Sequence, residues 1–220
     1  SNDDLRAKFS ALIGSDVDTR CYGPRESAAG ARSEATGAWQ RLAVHPAQPD
    51  DLATILYTSG TTGRPRGVML SQSNLATNAA VSADLISPEV EQVRLCILPL
   101  SHIFARTCDL YTWVYRGSKL VLAESRETTL RDLQLVRPSA MNAVPYVYQR
   151  VADKVAEAHL DDPRAALREA FGGRMEFLMC GGAPLSAEVG AWYDQHDVPV
   201  LAGYGLTETS PVVSASTPDL

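Results

Sequence analysis

Four short segments carry residues whose types and spacing could do chemistry. The richest runs Thr58-Ser59-Gly60-Thr61-Thr62-Gly63-Arg64-Pro65-Arg66-Gly67. Its four hydroxyls and three glycines let backbone N–H groups and side chains converge on an anion. Arg64 and Arg66 add positive charge, and residues 52–83 contain no Asp or Glu to repel a polyphosphate. Each charge-assisted hydrogen bond to phosphate is worth roughly 1.5–3 kcal/mol. The spacing is not that of a Walker A loop, because G-x-x-x-x-G-K-[ST] would need glycine where Pro65 stands. Taken alone, GTTG reads better as a polar surface turn than as a binding loop.

The second segment, Gly181-Gly182-Ala183-Pro184, would let a planar ring or a ribose lie against bare backbone, or simply make a tight turn. The third, Gly203-Tyr204-Gly205-Leu206-Thr207-Glu208-Thr209, places an aromatic face between two glycines, with a hydroxyl and a carboxylate following. A carboxylate beside phosphates makes sense chiefly as a Mg²⁺ ligand, since the bare charge would be repelled. The competing account of Glu208 is an acid serving a helix dipole. The fourth segment is His102, after Pro99-Leu100-Ser101. A single histidine opening a helix serves structure or catalysis equally well. His45, His159 and His196 show no ligand spacing, which argues against zinc.

Apolar runs alternate with helical patterns from residue 51 onward. Strands are expected at 53–57, 67–70, 94–98, 119–123, 140–144, 176–180 and 199–202. Helices are expected at 73–85, capped by Ser71 or Ser73, and at 102–116, stopped by Gly117. Further helices are expected at 128–136, at 145–159 with Pro145 in the first turn, from 162 to Gly172-Gly173, and at 186–195. This alternation predicts an α/β fold with a mostly parallel sheet covered by helices. In open parallel sheets ligands bind beyond the carboxyl ends of the strands, and all four segments lie at such ends.

Composition narrows the function classes. Hydrophobic content of 45% and charged content of 21% over 220 residues are globular values. The net charge of −6 argues against a nucleic-acid partner. Cys21, Cys96, Cys108 and Cys180 form no C-x-x-C pair, and buried thiols in the cytoplasm are expected. No apolar run is long enough for a transmembrane segment and no h-region marks a signal peptide; peripheral membrane contact and oligomeric state stay open. Residues 1–50 read differently from 51–220. A short helix is expected near 5–13, and 22–37 has the Gly, Ala, Ser and Arg composition of a mobile connector.

The segments ILYTSGTTGRPRGVMLSQSNL, LPLSHIF, CGGAPLS and GYGLTETSP, in this order, resemble the motifs of the adenylate-forming superfamily. The wording LPLSHIFAR, RPSAMNAVP and GGAPLS is most similar to the long-chain fatty acyl-CoA ligase branch. The resemblance implies the central part of a large N-terminal α/β domain, with an earlier subdomain and a C-terminal domain missing. The chain opens Ser1-Asn2 without methionine, in keeping with a piece of a longer enzyme that is inactive by itself.

The implied reaction uses ATP, Mg²⁺ and CoA to convert a medium- or long-chain fatty acid first to acyl-AMP and then to a thioester. By resemblance, Thr58, Ser59, Gly60, Thr61, Thr62, Gly63 and Arg66 would hold the β- and γ-phosphates, with Thr62 catalytic. Gly182, Ala183 and Pro184 would border the adenine, on which Tyr204, between Gly203 and Gly205, would stack. Thr207 would bind the α-phosphate, Thr58 and Glu208 would hold Mg²⁺, and His102 would border the acyl pocket, which 98–109 would line. The family usually has Lys at Arg66; its long-chain branch usually shows V-P-R where Val144-Pro145-Tyr146 stands, and often a longer helical insertion between Val147 and Phe171. Tyr146 and that short connection are therefore candidates for closing the acyl tunnel. Two alternatives are an acyl-AMP ligase that loads a carrier protein and a non-catalytic nucleotide-binding relative.

Overall fold

The computed structural model of the chain describes residues 47–59, 64–85 and 93–217. The helix and connector expected before residue 47 lie outside the described residues, as do Gly60, Thr61, Thr62 and Gly63. The chain divides into Ser1–Pro46 and Ala47–Leu220, and every element below belongs to the second unit.

β1 (Leu52–Thr58) and β2 (Arg66–Ser71) form an antiparallel hairpin in which Thr58 faces Arg66. The hairpin is a sheet of its own, so its two strands do not extend the parallel sheet. Its inner face, Leu56 and Leu70, packs on Leu75 and Ile103. α1 (Gln72–Asp84) follows directly. Ser71 is its cap: the Ser71 hydroxyl accepts from Asn74 N–H, and the Asn74 side chain accepts from Ser71 N–H in return.

The main sheet has six strands: β3 (Val93–Cys96), β4 (Lys119–Leu122), β5 (Ala140–Ala143), β6 (Phe177–Cys180), β7 (Val200–Gly205) and β8 (Val212–Ala215). Their order is β4-β3-β5-β6-β7-β8, parallel except for β8. β5 and β6 are buried along their whole length, as the central strands of a helix-covered parallel sheet must be. The α/β architecture matches the alternation in the sequence. Two differences stand out. β7 runs three residues beyond the expected 202, because β8, which the pattern did not reveal, pairs Gly203 with Ala215 and Tyr204 with Ser214. The 102–116 segment is helical, but not uniformly so. α2 consists of Ile103–Ala105, a π-helical stretch Arg106–Tyr111, and Thr112–Arg116, and it stops at Gly117 with φ 67°. The Thr112 hydroxyl donates to the Thr107 carbonyl inside the widened turn.

The remaining helices are α3 (Thr129–Val136), α4 (Pro145–Glu157), α5 (Pro163–Ala170) and α6 (Ala187–Gln195). With the sheet they enclose a core of Leu95, Leu133, Met141, Tyr148, Phe171 and Tyr193. The two buried phenols are satisfied in series: Tyr193 donates to the Tyr148 carbonyl and Tyr148 to the Met179 carbonyl.

Gly172, which ends the α5 region, has φ 87°, and a Cβ there would lie 2.5 Å from the Leu133 carbonyl oxygen. Gly172→Ala is therefore expected to lower the unfolding free energy by roughly 1–3 kcal/mol. The check is the urea midpoint; an unmoved midpoint would mean that α3 yields without cost.

Candidate functional site

The carboxyl ends of the parallel strands open on one cavity of about 870 Å³, within the usual range for small-molecule sites. Its walls take something from each of the four segments. The hairpin contributes Thr58, Ser59 and Arg66, and the segment after β3 contributes Pro99, His102 and Phe104. Gly181 and Gly182 follow β6; Gly203, Tyr204, Thr207 and Glu208 come from the end of β7 and beyond. Ala183 and Pro184 are exposed and do not line it. Gly60, Thr61, Thr62 and Gly63 lie outside the described residues. Tyr146 is 67% exposed and is not part of the wall.

The glycines have local reasons. A Cβ on Gly181 would meet the Phe104 ring at 2.8 Å, and Gly182 has φ 79°. At Gly205 a Cβ would sit 2.0 Å from the Pro211 carbonyl oxygen, so any side chain there would open the turn that follows. That turn is a single 3₁₀ stretch, Thr207–Thr209. The Thr209 hydroxyl accepts from Leu206 N–H at 2.9 Å and lies against the Leu206 and Pro211 carbonyls. Glu208 stands in the first turn of this stretch, whose three residues of 3₁₀ helix sum to a weak dipole. Glu208 is exposed and lines the cavity, as does Tyr204, which is 61% exposed.

Beneath the cavity lies a polar cluster that motif reasoning did not isolate. Arg94 on β3 donates to the Cys108 carbonyl at 2.8 Å and stands 3.6 Å from Asp109. Asn142 on β5 donates to Asp109 at 2.6 Å and to the Cys108 carbonyl at 3.2 Å. All three side chains are buried, and Arg94 and Asn142 reach the cavity wall. Burial pushes the Asp109 carboxyl up to about 6, against the opposing pull of Arg94 and Asn142. Burial also raises the Cys96 and Cys108 thiols to about 12, so both are inert, unionised side chains. The available signal was a charged residue and an amide inside short apolar strands, at Arg94 and Asn142.

Comparison with known proteins adds to this geometry. Residues 6–220 match the profile of the family described as AMP-binding enzyme. The chain is 32% identical over 203 residues to long chain acyl-CoA synthetase 6, peroxisomal, of Arabidopsis thaliana, covering 77% of this chain and 29% of that protein. It is 33% identical over 183 residues to the carboxylic acid reductase of Mycobacterium tuberculosis, covering 75% of this chain and 16% of that protein. The crystal structure of ATP-bound MatB from Rhodopseudomonas palustris superimposes with a TM-score of 0.62 at 32% identity, over 79% of this chain and 32% of that one. The chain thus spans less than a third of these relatives.

The Asp109 site makes stability depend on pH in a defined direction. Between an unfolded carboxyl near 3.9 and a folded one at about 6, the native state holds a proton that the unfolded chain has lost. The contribution is complete below the lower value and is lost as pH rises through the upper one. Unfolding free energies measured in urea should show this fall from about pH 4 to 6. Asp109→Asn should remove that segment of the slope; an unchanged slope would assign it to other carboxylates.

Proposed function

Because the chain belongs to the AMP-binding enzyme family, we propose that it is the nucleotide-handling part of a ligase that activates a medium- or long-chain fatty acid with ATP and passes the acyl group to CoA. The observation that carries this is the convergence of Thr58, Ser59, Arg66, His102, Tyr204, Thr207 and Glu208 on one cavity. In the first step a carboxylate oxygen bonds to the α-phosphorus as the α–β bridging P–O bond breaks, giving acyl-AMP and pyrophosphate. In the second, the thiol sulfur attacks the acyl carbonyl, loses its proton, and AMP leaves.

The roles follow from chemistry and position. Thr58 and Ser59, with Gly60, Thr61, Thr62, Gly63 and Arg66, hold the β- and γ-phosphates, and Thr62 acts on the departing pyrophosphate. Arg66, in place of the family's usual lysine, offers a planar fork. Tyr204 stacks on the adenine beside Gly182, within the backbone that Gly203 and Gly205 allow, and Ala183 and Pro184, outside the cavity wall, reach the base only from its rim. Thr207 binds the α-phosphate, and His102 orients the carboxylate. Thr58 and Glu208 suit Mg²⁺: a hydroxyl and a carboxylate on one cavity wall are hard oxygen donors, and this ion takes one or two carboxylates plus substrate phosphates. Bound there, Mg²⁺ would neutralise charge on the phosphates.

Beyond His102 the cavity wall includes Leu85, Leu98, Ile103, Phe177 and Met179, which supports an aliphatic substrate. No helix among the described residues is long and apolar enough to cross a membrane, and the buried free thiols Cys96, Cys108 and Cys180 fit work in the cytoplasm. The likeness, at 29% identity and a TM-score of 0.69, to the A-PCP didomain of a carboxylic acid reductase from Segniliparus rugosus supports a second reading, in which the acyl group leaves to a carrier-protein thiol.

In the parent enzyme, Glu208→Gln should reduce ATP–pyrophosphate exchange by about 10²–10³-fold with its far-UV spectrum unchanged, while the 220-residue chain by itself should form no thioester. Normal exchange in the variant would leave Glu208 with no part in the reaction.

A series of saturated acids should gain about fourfold in affinity per carbon until the cavity ends, at roughly 0.8 kcal/mol per buried CH₂. Acetate or a benzoate outperforming every longer acid would overturn the fatty-acid assignment and leave adenylation standing.

A further inference from the structure

Glu208 and Thr207 sit in a turn closed locally by Leu206 N–H to the Pro211 carbonyl and Thr209 N–H to the Leu206 carbonyl, and tied to the rest of the fold by side chains from outside it. Ser210, directly after the 3₁₀ stretch, has φ 77°, in the left-handed region that non-glycine residues rarely occupy. Such a conformation persists where the surroundings over-determine it. Two side chains from different helices add to that determination from outside the turn. Asn78, on α1, donates to the Thr209 carbonyl at 3.3 Å and the Val212 carbonyl at 2.9 Å, and its own carbonyl accepts from Val212 N–H at 3.2 Å. Its amide thus stands in for a neighbouring strand along the free edge of β8. Thr107, fully buried in the π-helical stretch of α2, donates to the Ser210 carbonyl at 3.1 Å.

The same two helices carry the other half of the site. α1 continues straight from β2, which begins at Arg66, and α2 begins immediately after His102. A further bond, from Arg106 to the Thr54 hydroxyl at 3.1 Å, ties α2 to β1, the strand that ends at Thr58. The hairpin, the histidine and the Glu208 turn are therefore braced against one another by side chains that do not carry the chemistry.

We propose that Asn78 and Thr107 are positioning residues that set the 207–212 backbone and, through it, the placement of Glu208 for Mg²⁺ and of Thr207 for phosphate. The proposal rests on the metal-binding reading of Glu208 given above. A purely structural role would cost stability alone. A positioning role costs metal–nucleotide affinity out of proportion to stability.

The test uses the full-length parent enzyme, titrated calorimetrically with Mg²⁺ and α,β-methylene-ATP, with melting temperatures in parallel. Thr107→Val keeps the shape and removes the hydroxyl; Thr107→Ser keeps the hydroxyl and removes a buried methyl. Asn78→Asp turns a donor into an acceptor facing the Thr209 and Val212 carbonyls. Thr107→Val and Asn78→Asp should each weaken binding about tenfold, the scale of one lost buried hydrogen bond, and Thr107→Ser should stay within about twofold despite its lower melting temperature. Wild-type affinity in both Thr107→Val and Asn78→Asp, with Glu208→Gln impaired, would overturn the positioning role alone. Equal losses in Thr107→Val and Thr107→Ser would assign the effect to packing and overturn it for Thr107. Normal binding in Glu208→Gln would instead sink the metal reading beneath it.

Discussion

Five strands that run in the same direction must all surrender their chains on the same side of the sheet, and that shared polarity determines where everything else in this molecule can be. Each crossover helix has to return the chain to the opposite side, so the loops at the carboxyl ends are the ones freed from tight packing. The histidine after β3, the glycine pair after β6 and the carboxylate after β7 face one cavity because of that geometry. The hairpin, a sheet of its own, reaches the same cavity by packing Leu56 and Leu70 on α1 and α2.

The strand-end rule made much of this arrangement legible in the sequence, because periodicity and turn residues mark parallel α/β units plainly. Gly117 and Pro145 marked helix ends correctly, and Ser71 is the cap among the two serines the sequence offers, since each acts through its own backbone or its nearest neighbours. What escaped was non-local. β8 is four residues long and becomes a strand only by pairing with β7. Arg94, Asp109 and Asn142 come from two strands and a helix, and nothing in their spacing announces that they meet. The π-helical stretch escaped too, because its apolar pattern differs from an α-helix by a single residue. In sequence, Gly181 and Gly205 suggest room for a ligand, yet each is also required by protein atoms: a phenylalanine ring and a proline carbonyl.

A carboxylate enclosed beside a guanidinium and an amide is a poor source of stability, since desolvation consumes most of what pairing returns. Its retention under a cavity makes more sense as alignment. Asn142 and Arg94 both donate to the Cys108 carbonyl, a group inside the π-helical stretch, so they fix α2 against β3 and β5 at the point where its backbone is least regular.

That stretch has a consequence for the register of the helix. A π turn accommodates one more residue than an α turn over the same rise. Each α-helical residue turns the chain by about 100°. A turn that absorbs its extra residue leaves the segments on either side facing as they would in an unbroken helix, with the sequence between them shifted by one position. Forcing 106–111 into α geometry with every residue kept would rotate one flank by that angle. Either His102 and Phe104 would swing away from the cavity, or Thr112 and the helix end would lose their seat against α1. The irregular turn is thus a phase corrector: it lets one continuous helix carry an additional residue and still meet both surfaces.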